Sequence, residues 1–207
     1  MPKAANLKLL LFSDVHRDLE QCRKLVKLAE TEAVDIVIGA GDFGSVRRGL
    51  KEVIDILRRI IRPAILVPGN SESDAELRDV CKAWPSAIVL HGAGVTLNHV
   101  DFWGIGGGIP ITPFGDWSFD FSEQQARPML SGCPAEVVLV SHSPPRGAVD
   151  VSSGNRNLGS VAIRETILAA KPRLVVCGHI HACAGKVEMI GNTPVVNAGP
   201  QGMIWEL

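Results

Sequence analysis

Residues 7–16, "LKLLLFSDVH", begin as an apolar strand and end in side chains that can hold a metal. Such a near-continuous apolar run suits a strand covered on both faces, as in a parallel sheet. Downstream, "DLEQCRKLVKLAE" (18–30) places Leu19, Cys22, Val26 and Ala29 on one helical face. The unit then repeats. "VDIVIGAGD" (34–42) reads as a second strand, and "GLKEVIDILRRII" (49–61) as a helix with Leu50, Val53, Ile54, Leu57 and Ile61 on its apolar face. "AILVPGN" (64–70) is a third strand, followed by the acidic, helix-favouring "ESDAELRDVCKAW" (72–84). Strands separated by amphipathic helices imply βαβ units and an α/β fold.

The middle differs. "SAIVLHGAGVTLNHVDFWGIGGG" (86–108) has turn signals at 91–94 and at Asn98-His99, which predict short strands in hairpins. A Pro/Gly/aromatic loop, "IPITPFGDWSFDFSEQQARPML" (109–130), leads into a short helix. The strand–helix rhythm resumes with "EVVLVSHSPP", "GSVAIRETILAA" and "RLVVCGHIH", and "GKVEMIGNTPVVNAGPQGMIWEL" (185–207) predicts short terminal strands. Without a repeat, linker or low-complexity tract, residues 1–207 read as a single domain.

Composition narrows the function classes. The chain is 46% hydrophobic and 21% charged with a formal net charge of −1, so bulk charge gives no signal for nucleic acid or an acidic membrane. The five cysteines, Cys22, Cys81, Cys133, Cys177 and Cys183, lack the count and spacing of a disulfide scaffold or a zinc ribbon. That fits a reducing cytoplasm. The apolar run Leu9–Phe12 is too short for a signal peptide, and no segment reaches the length of a membrane span.

Five strands end in donor residues: Asp14-Val15-His16, Gly41-Asp42, Gly69-Asn70, Ser141-His142 and Gly178-His179-Ile180-His181. Each motif alone is weak, since an Asp or Asn after a strand is usually a cap or a turn. In a parallel sheet, however, the carboxyl ends of the strands share one edge, where ligands bind. Asp, His and Asn side chains suit divalent first-row metals, and four of the six histidines fall in this set.

In that order the motifs resemble those of the calcineurin-like metallophosphoesterase superfamily. "GGGIPITPF", "SHSPP" and "GSVAIRE" look like its small prokaryotic, Icc-like members, and "NAGP" (197–200) stands where the family often has N-P-G-S. The resemblance implies a four-layer αββα sandwich, two mixed sheets flanked by helices. It also implies a binuclear centre in which Asp14, His16, Asp42 and His181 hold one metal. Asp42, Asn70, His142 and His179 would hold the second, with Asp42 bridging at the roughly 3.5–4 Å spacing of two-metal hydrolytic sites. Manganese is the first metal to assay, with iron, zinc, nickel or cobalt as alternatives. Two divalent cations outweigh the two aspartates, so the loaded site suits an anionic phosphoester. The implied reaction is in-line attack by metal-activated hydroxide, with Asp42, Asn70 and His142 as the catalytic set.

One residue departs from the family. Ser71 occupies the place where G-N-H-[DE] has a histidine that serves the leaving oxygen. A serine hydroxyl donates a hydrogen bond but supplies no proton near neutral pH, which forfeits a general-acid contribution of ~10²–10⁴-fold. Phosphodiesters with good or metal-assisted leaving groups are therefore expected over monoesters. The alternative is a catalytically weak protein-binding scaffold of the same fold. Arg17 and Arg146 are candidate phosphate contacts, and nothing in the composition excludes a homo-oligomer. His91 and His99 match no ligand position and read as turn or edge histidines. Phe114, Trp117, Phe119 and Phe121 pack over the sheet edge or wall a substrate pocket.

Overall fold

The computed structural model describes residues 7–207. The first half alternates as the sequence predicts: β1 (Lys8–Phe12), α1 (Leu19–Thr31), β2 (Ile36–Gly39), α2 (Leu50–Leu57), β3 (Ala64–Leu66), α3 (Asp74–Cys81) and β4 (Ala87–Val89). β1 to β4 lie in sequence order, each parallel to the next. The helices start where the chain offers caps. Asp18 accepts from the Gln21 N–H at the head of α1, and Ser73 with Glu76 forms a reciprocal capping box at α3.

The second half supplies β5 (Ala93–Leu97), β6 (Val100–Ile105), α4 (Glu123–Leu130), β7 (Val138–Ser141), α5 (Val161–Ala170), β8 (Leu174–Cys177), β9 (Val187–Ile190) and β10 (Thr193–Asn197). Six strands form a second sheet in the order β5-β6-β7-β8-β10-β9, parallel in the middle and antiparallel at both edges. The last strand, β11 (Met203–Glu206), returns to the first sheet and pairs antiparallel with β1, Lys8 opposite Glu206. Both sheets are mixed.

Three apolar layers separate four structural ones. Leu25, Val53, Ile54, Leu57 and Leu77 pack α1–α3 onto one face of the first sheet. Leu9, Leu11, Ile38, Val138, Val140 and Val176 fill the space between the sheets. Ala126, Leu130, Ile163 and Ile167 pack α4 and α5 against the outer face of the second. This is the αββα sandwich expected. The first sheet is covered by helices on one face and by the other sheet on the opposite face.

Two local expectations change. Ile61 is 86% exposed, because α2 stops at Leu57 and the following turn puts Ile60 inward in its place. There the Ile60 carbonyl accepts the Trp84 indole N–H at 3.0 Å. The stretch 91–94 is also not a hairpin turn. The Leu90 N–H continues the first sheet by donating to the Leu66 carbonyl, and the Gly92 N–H starts the second by donating to that of Gly104. The chain crosses between sheets here with Leu90 in the layer between them, a close passage that Gly104 permits, since a Cβ there would lie 2.3 Å from that of Leu90. The Asn98-His99 turn does close a hairpin between β5 and β6, with both residues at positive φ (49° and 62°), the twist that two-residue hairpins favour.

Candidate metal centre

The five donor motifs follow β1, β2, β3, β7 and β8, and their loops are stitched to one another by backbone hydrogen bonds. The Asp14 N–H donates to the Gly41 carbonyl and the His16 N–H to that of Asp42, while the Gly178 N–H donates to the His142 carbonyl. The Asp14 carboxylate accepts the His179 N–H at 3.1 Å, which ties a loop of the second sheet to one of the first. Two glycines permit this closeness. A Cβ on Gly69 would lie 2.0 Å from Asp42 Oδ1, and one on Gly178 would lie 2.3 Å from Asp14 Oδ2.

The side chains converge. His16 Nε2 lies 3.0 Å from His181 Nε2, 3.4 Å from Asp42 Oδ2 and 3.9 Å from Asp14 Oδ1. His181 Nε2 is 3.6 Å from Asp14 Oδ1. On the deeper side, His142 Nε2 is 3.2 Å from Asn70 Oδ1 and 3.6 Å from Asp42 Oδ1. Donors bonded to one ion at about 2.1 Å stand roughly 3.0–3.4 Å apart along the edges of an octahedron or tetrahedron. Most of these separations fall in or near that range. Asp14, His16 and His181 form one group able to hold an ion, and Asp14, Asp42 and His142 another. His179 belongs to neither group. Its ring packs edge-on to His142 with centroids 4.9 Å apart, at the cavity wall.

Electrostatics prepares the donors. Burial works to raise the Asp14 pKa, but the His181 ring, the His142 charge and the Ser13 hydroxyl hold it down at about 2, so the carboxylate stays ionised. The His142 Nδ1–H donates to the Ala40 carbonyl at 2.8 Å and Nε2 faces the Asn70 and Asp42 oxygens; burial works to lower the His142 pKa, but the Asp42 and Asp14 charges raise it. Burial lowers the His179 pKa to about 4, with the His142 charge adding to it, and keeps that ring neutral. Asp14, His16, Asp42 and His179 all have left-handed backbones, with φ of 55°, 41°, 56° and 66°. Such conformations cost of order 1–3 kcal/mol each and cluster where a site dictates side-chain direction.

A family model, the calcineurin-like phosphoesterase superfamily domain, matches residues 7–206. The chain belongs to that superfamily. Solved structures agree on the fold. A protein of Thermus thermophilus is 20% identical with a TM-score of 0.76, over 98% of this chain and 99% of that one. An archaeal phosphodiesterase (16%, TM-score 0.53) covers 97% of this chain and 100% of its own. A dimetal phosphatase from Danio rerio (14%, TM-score 0.61) covers 92% and 86%. No curated protein matches the chain.

Around the donors, this calcineurin-like phosphoesterase has supports that its sequence motifs do not announce. The Ser13 hydroxyl donates to Asp14 Oδ2 at 2.6 Å while accepting the Gly199 N–H. Asn70 is oriented by Ser118, whose hydroxyl accepts from Nδ2 at 3.0 Å and itself donates to Asp120 at 2.8 Å. That chain turns Oδ1 of Asn70 toward His142. Asn197, in the "NAGP" segment, donates from Nδ2 to the Gly178 and Ile180 carbonyls and so braces the loop bearing His179 and His181. The Glu72 carboxylate is buried and accepts the N–H groups of Phe43, Gly44 and Gly69. Of these, only "GNSE" and "NAGP" gave a sequence signal.

The candidate contacts separate. Ser71 lines a cavity of about 730 Å³ over the donors, and its N–H donates to Asp42 Oδ1 at 2.8 Å. Neither arginine lines that cavity. The Arg17 side chain lies over Gly49, in space that a Cβ there would fill, and Arg146 donates to the Asn157 carbonyl. Both residues are exposed. The aromatic loop divides: Phe114 and Trp117 line the cavity, whereas Phe119 and Phe121 pack with each other and with His91.

His91 is structural, as expected, with a defined task. Its Nδ1 accepts the Gly106 N–H at 3.1 Å, and burial lowers its pKa. The neutral ring required by that bond is favoured above the unfolded pKa of about 6.5, and its contribution is lost as pH falls through the lowered folded value. Wild type should therefore lose more thermal stability between pH 7.5 and 5 than His91→Phe does. Identical pH slopes in the two proteins would refute this assignment.

Proposed function

We propose that residues 1–207 form a single-domain, binuclear metal-dependent phosphoesterase that favours phosphodiesters over monoesters. The observation that carries this reading is the convergence of His16, His181, Asp14, Asp42, His142 and Asn70 at separations that fit the edges of metal polyhedra. Asp14, His16, Asp42 and His181 would hold one ion; Asp42, Asn70, His142 and His179 would hold the other. Bound divalent metal ions supply a water activated near neutral pH and polarise the phosphoryl oxygens. Manganese is the first choice. Two structural relatives, one named as a phosphodiesterase and one as a dimetal phosphatase, support the reaction class.

The chain's own contribution is placement. Asp42 Oδ2 faces His16 and Oδ1 faces His142, so one carboxylate serves both sets. Ser118 fixes the Asn70 amide. Ser71, anchored through its N–H to Asp42, offers a hydroxyl to the phosphoryl group but no proton to the leaving oxygen. The leaving group must therefore depart without a general acid at this position, which favours activated diesters. Among the described residues no helix is long and apolar enough to cross a membrane.

The test uses manganese-loaded protein with bis(p-nitrophenyl) phosphate and an alkyl phosphomonoester. Faster cleavage of the alkyl monoester would overturn the diester preference. Ser71→His should raise the rate on poor leaving groups by about 10-fold or more relative to good ones, with metal content little changed. An unchanged ratio between the two substrate types would show that Ser71 does not set the preference.

A further inference from the structure

We infer that the substrate is a phosphoester carrying one apolar, preferably aromatic, organic group and no second anionic group. This rests on the phosphoesterase reading of the same site and adds what lies beyond the phosphorus.

The cavity has two unlike ends. At its floor are the metal-capable donors; above them three loops present Val46, Ile111, Phe114, Trp117 and Leu158. Ile111 is 63% exposed, and Val46 and Phe114 are each 49% exposed. Apolar side chains gathered beside a polar floor mark a binding cleft more than an ordinary surface. Phe114 and Trp117 stack on each other, 16° apart with centroids at 5.6 Å, and form one aromatic wall of the cavity. About 730 Å³ is room for a small organic molecule.

The wall is fastened to the loops that bear the donors. Arg47 Nε donates to the Trp117 carbonyl at 2.8 Å, and the Arg47 N–H donates to the carbonyl of Ser71. The Phe119 N–H donates to the carbonyl of Asn70. An apolar group on the wall is thus held at a set distance from the phosphorus.

Charge supplies the second half of the argument. No lysine or arginine is among the described residues lining the cavity. The Arg47 guanidinium is engaged with the Trp117 carbonyl and the Glu76 carboxylate. A second phosphate or carboxylate on the substrate would meet apolar side chains and, at most, the hydroxyls of Ser45, Thr112, Ser152 and Ser153, without a cation to offset its desolvation.

Calorimetry on manganese-loaded protein reads binding without turnover. The probes are dimethyl-, methyl(phenyl)-, methyl(2-naphthyl)- and methyl(4-carboxyphenyl)phosphinate, monoanionic diester analogues with no ester bond to cleave, and hydrolysis of bis(p-nitrophenyl) phosphate is followed in parallel. The naphthyl compound should bind at least about tenfold tighter than the dimethyl one, and the carboxyphenyl compound about tenfold weaker than the phenyl one. Phe114→Ala and Trp117→Ala should each shrink the naphthyl-to-dimethyl ratio. Hydrolysis together with equal affinities across the series overturns this inference and leaves the hydrolase reading standing. Aryl-selective binding without hydrolysis overturns the hydrolase reading and makes the aryl phosphoester a ligand of the cleft and not its substrate, and failure of both arms removes both readings.

Discussion

Asp42→Asn is expected to lower the hydrolysis of bis(p-nitrophenyl) phosphate by about 10³-fold or more and to reduce the bound metal. The carboxylate stands between two clusters, with Oδ2 3.4 Å from His16 Nε2 and Oδ1 3.6 Å from His142 Nε2. An amide removes a negative charge from the floor and must turn its NH₂ toward one of the two histidines. Loss of a few kcal/mol of charge stabilisation accounts for three decades in rate. His142→Ala should behave alike, since His142 is wholly buried and closes the Asn70 side of the site. Metal analysis by atomic spectroscopy decides the matter together with the rates. Wild type free of metal, with the same background rate in all three proteins, would make the chain a binding scaffold instead.

Glu72→Ala should show the largest loss of stability, about 3–5 kcal/mol in urea unfolding. The carboxylate accepts the Gly69 N–H at 2.7 Å, the Gly44 N–H at 2.9 Å and the Phe43 N–H at 3.3 Å, all buried. Its removal strands three donors, each costing about 1–3 kcal/mol. Part of that loss is returned, because burial and the Asp42 charge already push the Glu72 pKa up to about 7. Glu72→Gln keeps one acceptor oxygen and should lose roughly half as much. A loss below about 1 kcal/mol in the alanine variant would mean that the loops after β2 and β3 hold their shape without this carboxylate.

Some of this architecture is legible in the sequence because it is written locally. Each of the five donor motifs directly follows an apolar run; parallel pairing aligns the ends of β1–β3 in the first sheet and those of β7 and β8 in the second, and the packing of the two sheets brings both sets together. The same locality hides other features. Asn70 owes its orientation to Ser118, 48 residues away, through a hydrogen bond that no spacing rule anticipates. Glu72 resembles the first residue of a helix, yet α3 begins at Asp74 and Glu72 turns back into the preceding loops. Ile61 fits the helical period well, and only the termination of α2 at Leu57 exchanges it for Ile60. Arg17 and Arg146 sit beside donor motifs in sequence, but adjacency along a loop does not fix where a long side chain points.

The return of β11 to the edge of β1 bears on how the protein is made. Asp14 is held by Ser13, and Ser13 is held in turn by the main chain of Gly199. The first donor to leave the ribosome therefore waits for a partner 186 residues beyond Ser13. The edge of β1 stays open until residues 203–206 arrive to cover it. Contacts of such long sequence separation slow folding and leave an unpaired strand exposed meanwhile. The loop that carries Asp14 is thus completed late, only once the last strand of the first sheet is in place.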